Sequence, residues 1–94
     1  MEIMCIWLSQ RNLRRVGQIP AMVEAILNGD ILPRITLILD EDGEIQVEDG
    51  HHRLCAYWLA GRKELKDHEY LLVVKDQWKR RCGKIDGLDC KRLC

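Results

Sequence analysis

The chain has 94 residues, of which 47% are hydrophobic and 32% charged. That is enough for one folded domain and too little for two, and it excludes a disordered chain outside the last few residues. Fifteen basic residues balance fifteen acidic ones, so overall charge does not argue for nucleic acid, and no apolar run approaches the roughly 20 residues that cross a bilayer.

The charges are unevenly spread. Asp40, Glu41, Asp42, Glu44, Glu48 and Asp49 make the centre acidic, while Arg11, Arg14 and Arg15 near the start and Lys75, Lys79, Arg80, Arg81, Lys84, Lys91 and Arg92 near the end are basic. The plain reading of these flanks is solvated surface, and the sharper one is a local anion-binding face. Residues 1–94 are expected to form a single domain, with about 76–94 a basic C-terminal extension. The five cysteines, Cys5, Cys55, Cys82, Cys90 and Cys94, include no Cys-x-x-Cys pair. They read as thiols in a cytoplasmic protein, and the spacing of the last three matches no usual zinc finger. Met1 to Leu8 is followed by Arg11 instead of a small-residue cleavage site, which does not resemble a secretory signal.

In chain order, Glu2–Leu8 is short and apolar and predicts a buried strand. Leu13–Gly17 is polar and reads as a loop. Gln18–Asn28 predicts a helix with Ile19, Met22, Val23, Ile26 and Leu27 on one face. Pro20 suits its first turn, and Asn28-Gly29 supplies the stop. Arg34–Asp40 is rich in β-branched residues and predicts a strand. Asp42-Gly43 marks a tight hairpin turn, and Glu44–Glu48 alternates apolar with polar, as a half-buried partner strand does. Gly50–Ala60 predicts a second helix with the stripe Leu54, Tyr57, Trp58, ended by Gly61. Glu69–Lys75 predicts a further strand, and the remainder predicts a short helix around Trp78 and a frayed end past Gly87. The fold class is therefore α/β (α+β): a small mixed sheet with packed helices.

The segment Asp49-Gly50-His51-His52-Arg53 places a strand end against a helix start. A first helical turn has backbone N–H groups without partners and the positive end of the helix dipole, which together attract anions. Gly50 lets a phosphate approach the backbone, Arg53 offers a fork for two phosphate oxygens, and His51 and His52 add donors whose charge depends on pH. Asp49 can orient a histidine, hold a metal-bound water or act as a base. The plainer alternative makes Asp49 the N-cap of the helix and the next three residues ordinary surface. Three potentially cationic side chains in one first turn weigh against that alternative, since cations are unfavourable there unless an anion binds.

The stretch Val47-Glu48-Asp49-Gly50-His51-His52-Arg53-Leu54-Cys55-Ala56, with Gly61 after it, resembles the signature of the ParB/sulfiredoxin-like superfamily. The preceding order also matches: helix, Gly29, Pro33, strand, Asp42-Gly43, strand. The resemblance covers roughly Val16 to Val74. ParB partition proteins carry Gly-Glu-Arg-Arg at this helix start and hold the triphosphate of CTP there; Gly50 and Arg53 match, while His51 and His52 replace a Glu and an Arg. The chain has no room for ParB's DNA-binding and dimerisation regions. Sulfiredoxins carry Gly-Cys-His-Arg and bind ATP; Gly50, His52 and Arg53 match, but His51 stands where the reducing cysteine would be, which argues against sulfinic acid reduction. Cys55, one turn further on, is expected to pack against the sheet. Archaeal free-serine kinases carry a motif closer to Asp-Gly-His-His-Arg in longer chains, with a second carboxylate for which Glu24 is the weak candidate here. Other members, from plasmids and phages, are described as nucleases or nucleotide hydrolases.

The resemblance thus implies a nucleotide- or phosphate-binding domain, with ATP, ADP or CTP as ligand and Mg2+ as the accompanying ion. Gly50, His51, His52 and Arg53 would bind the phosphates, and Asp49, His51 and His52 would assist nucleotide hydrolysis, phosphoryl transfer or nuclease chemistry. No residues stand out as a resident metal site. The alternative is a non-catalytic DNA- or protein-binding module of a plasmid, phage or other mobile element. A homodimer is also among the expected arrangements, and a membrane is not.

Overall fold

The computed structural model describes residues 1–10, 13, 15–76, 78 and 81–85. Strand β1 (Ile6–Trp7) is followed by helix α1 (Ile19–Leu27), strands β2 (Ile35–Leu39) and β3 (Ile45–Asp49), helix α2 (His51–Leu59) and strand β4 (Tyr70–Val74). The four strands form one mixed sheet in the order β1-β3-β2-β4. The β2–β3 hairpin is antiparallel, and both outer pairs, β1–β3 and β2–β4, are parallel. The protein is a small α+β domain.

The helices share one face of the sheet. Ile35, Leu37 and Val47 from the central strands meet Ile19 of α1 and Leu54, Cys55, Ala56 and Tyr57 of α2, and Ile3, Ile6, Leu65 and Ile85 close the same core. Helix α1 presents Ile19, Met22, Val23 and Ile26 to it as the spacing predicts, but Leu27 is exposed. Leu27 is the last helical residue, and Gly29, with φ of 84°, turns the chain away just beyond it. Cys55 is fully buried, as expected of a residue packed against the sheet.

Three local readings change. The expected strand over Glu2–Leu8 is a 3₁₀ turn at Ile3–Cys5 and only two residues of strand, with single bridges from Glu2 to Glu64 and from Leu8 to Gly83. The expected loop ends in a 3₁₀ turn at Val16–Gln18 that leads into α1. Trp78 and Arg81–Cys82 are not helical; the rest of that expected helix, the region past Gly87, Cys90 and Cys94 lie outside the described residues.

The largest departure is at the second face of the sheet. Alternation predicts that Gln46 faces solvent, yet it is fully buried, together with its cross-strand partner Ile38. Gln46 Nε2 donates to the Trp78 carbonyl (3.0 Å) and to Asp40 Oδ2 (2.7 Å), so backbone from the C-terminal part covers this face. Asp40 also accepts from the backbone N–H groups of Asp42 and Glu44, which fixes the hairpin turn, and from Arg81 Nε at 3.3 Å. Burial pushes the Asp40 carboxyl up, but these donors and the Arg81 charge outweigh it and hold it below its ordinary value.

At the other end of the sheet, Glu69 sets the entry into β4. Its carboxylate accepts from both terminal nitrogens of Arg62 (2.5 and 3.2 Å) and from the Lys66 N–H (2.6 Å), closing the 3₁₀ turn Asp67–Glu69. Gln46→Leu keeps the volume but deprives Asp40 and the Trp78 carbonyl of a donor. It is expected to cost about 1–3 kcal/mol, read as a lower midpoint in urea denaturation; an unchanged midpoint would show that the covering of this face contributes no stability.

Candidate functional site

Strand β3 runs directly into α2, and the junction is built by a bulge and a glycine. Leu37 pairs with Val47 but Thr36 pairs with Asp49, so Glu48 is an extra residue in the ladder. Such a bulge kinks a strand and re-aims the residue after it. Asp49, which strict alternation would point with Val47 toward the helices, instead has a side chain 79% exposed. Glu48 is tied outward by Lys75 Nζ at 2.8 Å.

Gly50 is the N-cap of α2, with φ of 108°. This left-handed backbone is strained for any residue with a Cβ. A Cβ there would also lie 3.0 Å from Arg53 Nη2 and 3.2 Å from both Arg53 Nε and Ile35 Cγ1. The alternative reading of Asp49 as the N-cap is therefore not what forms: no side chain caps this helix. Its first backbone bond runs from the Leu54 N–H to the Gly50 carbonyl, and the N–H groups of His51, His52 and Arg53 precede that ladder, as at any helix start.

Arg53 folds back against Gly50. Its Nη2 lies 3.3 Å from the Arg34 carbonyl and 3.5 Å from Asp49 Oδ2, both long contacts, and its Nε is buried without a hydrogen-bond partner. An unmet guanidinium N–H is uncommon in a folded protein and calls for an acceptor.

The two histidines do something the sequence argument did not foresee. His51 is 5% exposed, and its Nε2 accepts from the Ser9 N–H at 3.0 Å, with the Ser9 hydroxyl 3.3 Å away and itself donating to the Val47 carbonyl. His52 Nε2 accepts from the Arg15 N–H at 3.0 Å. Both rings act as acceptors for the segment that follows β1. Burial, then the neighbouring His52, pushes the His51 pKa down to about 4 against the pull of Asp49, so the ring is neutral at pH 7. The argument from three cations in the first turn thus rests on Arg53. The site takes in Ser9 and the Arg34 carbonyl, which no sequence signal marks: Ser9 is 42 positions from His51, and a backbone carbonyl carries no residue identity.

Glu24 is exposed on α1 and its carboxylate makes no hydrogen bond or ion pair among the described residues. Among the described residues Cys5, Cys55 and Cys82 form no disulfide, and no three His, Cys, Asp or Glu side chains gather as a metal site. Among the same residues no helix is long and apolar enough to cross a membrane. Comparison with known proteins finds no matching family model, no matching curated protein and no matching solved structure.

Two outcomes follow from this geometry. Gly50→Ala should destabilise the protein by about 1–3 kcal/mol, seen as a lower melting temperature; an unchanged melting temperature would show that the turn relaxes freely. For His51, the unfolded chain takes up a proton near pH 6.5 and the folded one only near 4. The stability it contributes is complete above 6.5 and is lost as pH falls toward 4. The loss between pH 7 and 4.5 is on the order of 2 kcal/mol, and His51→Gln, which keeps an acceptor for Ser9 but does not titrate, should flatten the stability profile in that window.

Proposed function

We propose that the start of α2 binds the phosphates of a nucleotide or phosphorylated small molecule, as the resemblance to ParB/sulfiredoxin-like domains implies. The observation that carries this reading is Arg53, a guanidinium held against Gly50 at a helix start that no side chain caps. The helix start supplies the N–H groups of His51, His52 and Arg53 and the positive end of the dipole. Gly50 lets the guanidinium pack against its backbone, where a Cβ would lie 3.0 Å from Arg53 Nη2. His51 and His52 contribute through their backbone and by anchoring Ser9 and Arg15 beside the site. Arg15 and Arg34 are exposed and add positive charge near it.

Asp49 is the group placed to assist chemistry. It is exposed at the strand end beside Arg53, where a carboxylate can take a proton from an attacking water or hydroxyl. A magnesium ion carried by the phosphates would neutralise their charge, with Asp49 as the protein carboxylate beside them. This reading suits the cytoplasm, where nucleotides are abundant and thiols stay reduced.

The test is calorimetric titration with ATP, ADP and CTP, with and without magnesium. At least one nucleotide is expected to bind, and Arg53→Ala, checked for folding by circular dichroism, is expected to weaken it roughly tenfold or more. Asp49→Asn should keep the binding and lose any phosphate release. Equal binding by the folded Arg53→Ala variant would overturn the assignment. Failure of every nucleotide to bind would favour the non-catalytic DNA- or protein-binding module instead.

A further inference from the structure

The far end of α2 carries a second polar cluster, away from Gly50. A cavity of about 150 Å³ lies there, between the ends of α1 and α2 and the entry into β4. It is smaller than the roughly 300–1,000 Å³ of pockets that enclose drug-sized ligands, so it suits a small molecule.

The floor of the cavity is internally paired. Tyr57 is 3% exposed and Glu69 7%. Burial, then the Glu69 charge, pushes the Tyr57 hydroxyl up, so it stays protonated and donates to Glu69. The Glu69 carboxylate also accepts from Arg62 and from the Lys66 N–H. The Arg62 guanidinium in turn lies over the Tyr57 ring, 5.3 Å from its centre. The helix ends are spent as well: the Asp30 N–H donates to the Ala25 carbonyl and the Arg62 N–H to the Tyr57 carbonyl.

The wall and rim are different. Ile26 is half-buried and Ile31 is 81% exposed, so the cavity has an apolar side that meets water. Asp30, Lys66 and His68 line it too, and all three are exposed. None of these three side chains is in a hydrogen bond or ion pair with another side chain among the described residues. Two donors, Lys66 and His68, therefore remain against one acceptor, Asp30.

We propose that this cavity binds a small organic anion, a carboxylate on a short apolar body. Lys66 Nζ and the His68 ring hold the carboxylate, in hydrogen bonds strengthened by charge, and the body lies against Ile26 and Ile31. An amine of the same shape would find only Asp30, beside the positive charges of Arg62 and Lys66. Asp30 opposes the anion, which gives the site a signature: removing that charge tightens binding. The site uses no residue of the Gly50–Arg53 turn, so it stands or falls separately from the phosphate reading.

The test is a titration of the nitrogen-labelled full chain with isocaproate to about 20 mM, enough to fill a millimolar site, followed by amide NMR. Isocaproate should shift the amides of Gly29, Asp30, Lys66 and His68 and leave those of His51 and His52 in place. Acetate, which lacks the body, and isoamylamine, which reverses the charge, should each bind about tenfold or more weakly. Lys66→Met, which keeps the apolar stem, should weaken isocaproate about tenfold, and Asp30→Asn should strengthen it, with circular dichroism unchanged in both. No shift at any concentration, shifts confined to the Gly50–Arg53 turn, or equal binding of acetate or isoamylamine would overturn the proposal. So would a folded Lys66→Met variant that binds isocaproate unchanged, or an Asp30→Asn variant that does not bind it more tightly.

Discussion

Between β3 and α2 the chain must leave the sheet and enter the helix layer within one residue, and Gly50 is that residue. Its left-handed φ of 108° sets the direction of α2, and with it the depth to which Leu54, Cys55 and Tyr57 reach into the core. The Glu48 bulge immediately before it turns Asp49 outward. Arg53 then occupies the space that a side chain at Gly50 would fill. Backbone strain, sheet register and the position of one guanidinium are thus a single arrangement. A change in any of them would shift the helix start on which the phosphate reading depends.

That arrangement is held from outside by His51 and His52. Each spends its Nε2 as an acceptor of a backbone N–H, one from Ser9 and one from Arg15. Burial keeps His51 neutral, so its link to Ser9 persists at pH 7 and competes poorly with protonation only in acid. On the proposed phosphate reading, this divides the labour within one short motif. The histidine rings hold Ser9 and Arg15 beside the helix start, which leaves the backbone N–H groups and Arg53 as the proposed phosphate contacts.

The faces and edges of the sheet are closed unevenly. One face packs against the two helices, and on the other Gln46 is buried beneath the Trp78 carbonyl and beside Asp40. The β1 edge is covered by Cys82–Gly83. Among the described residues the β4 edge has no partner strand, and its entry is fixed by the Arg62–Glu69 pair.

Much of this was determined by local sequence. The helical spacing of Ile19, Met22, Val23 and Ile26, the stops at Gly29 and Gly61, the Asp42-Gly43 hairpin and the strand–Gly50–helix order each follow from the chemistry of neighbouring residues, and each forms. The tertiary structure alone decided the rest. It buried Gln46 instead of exposing it, because cover for that face comes from residue 78, 32 positions away. It shortened the first strand, because two residues of β1 find a partner in β3. It also made acceptors of two histidines that read as cations, because Ser9 and Arg15 arrive from across the fold. Spacing within a segment reports on dihedral angles and faces; which polar group meets which depends on chain reversals that no local pattern encodes.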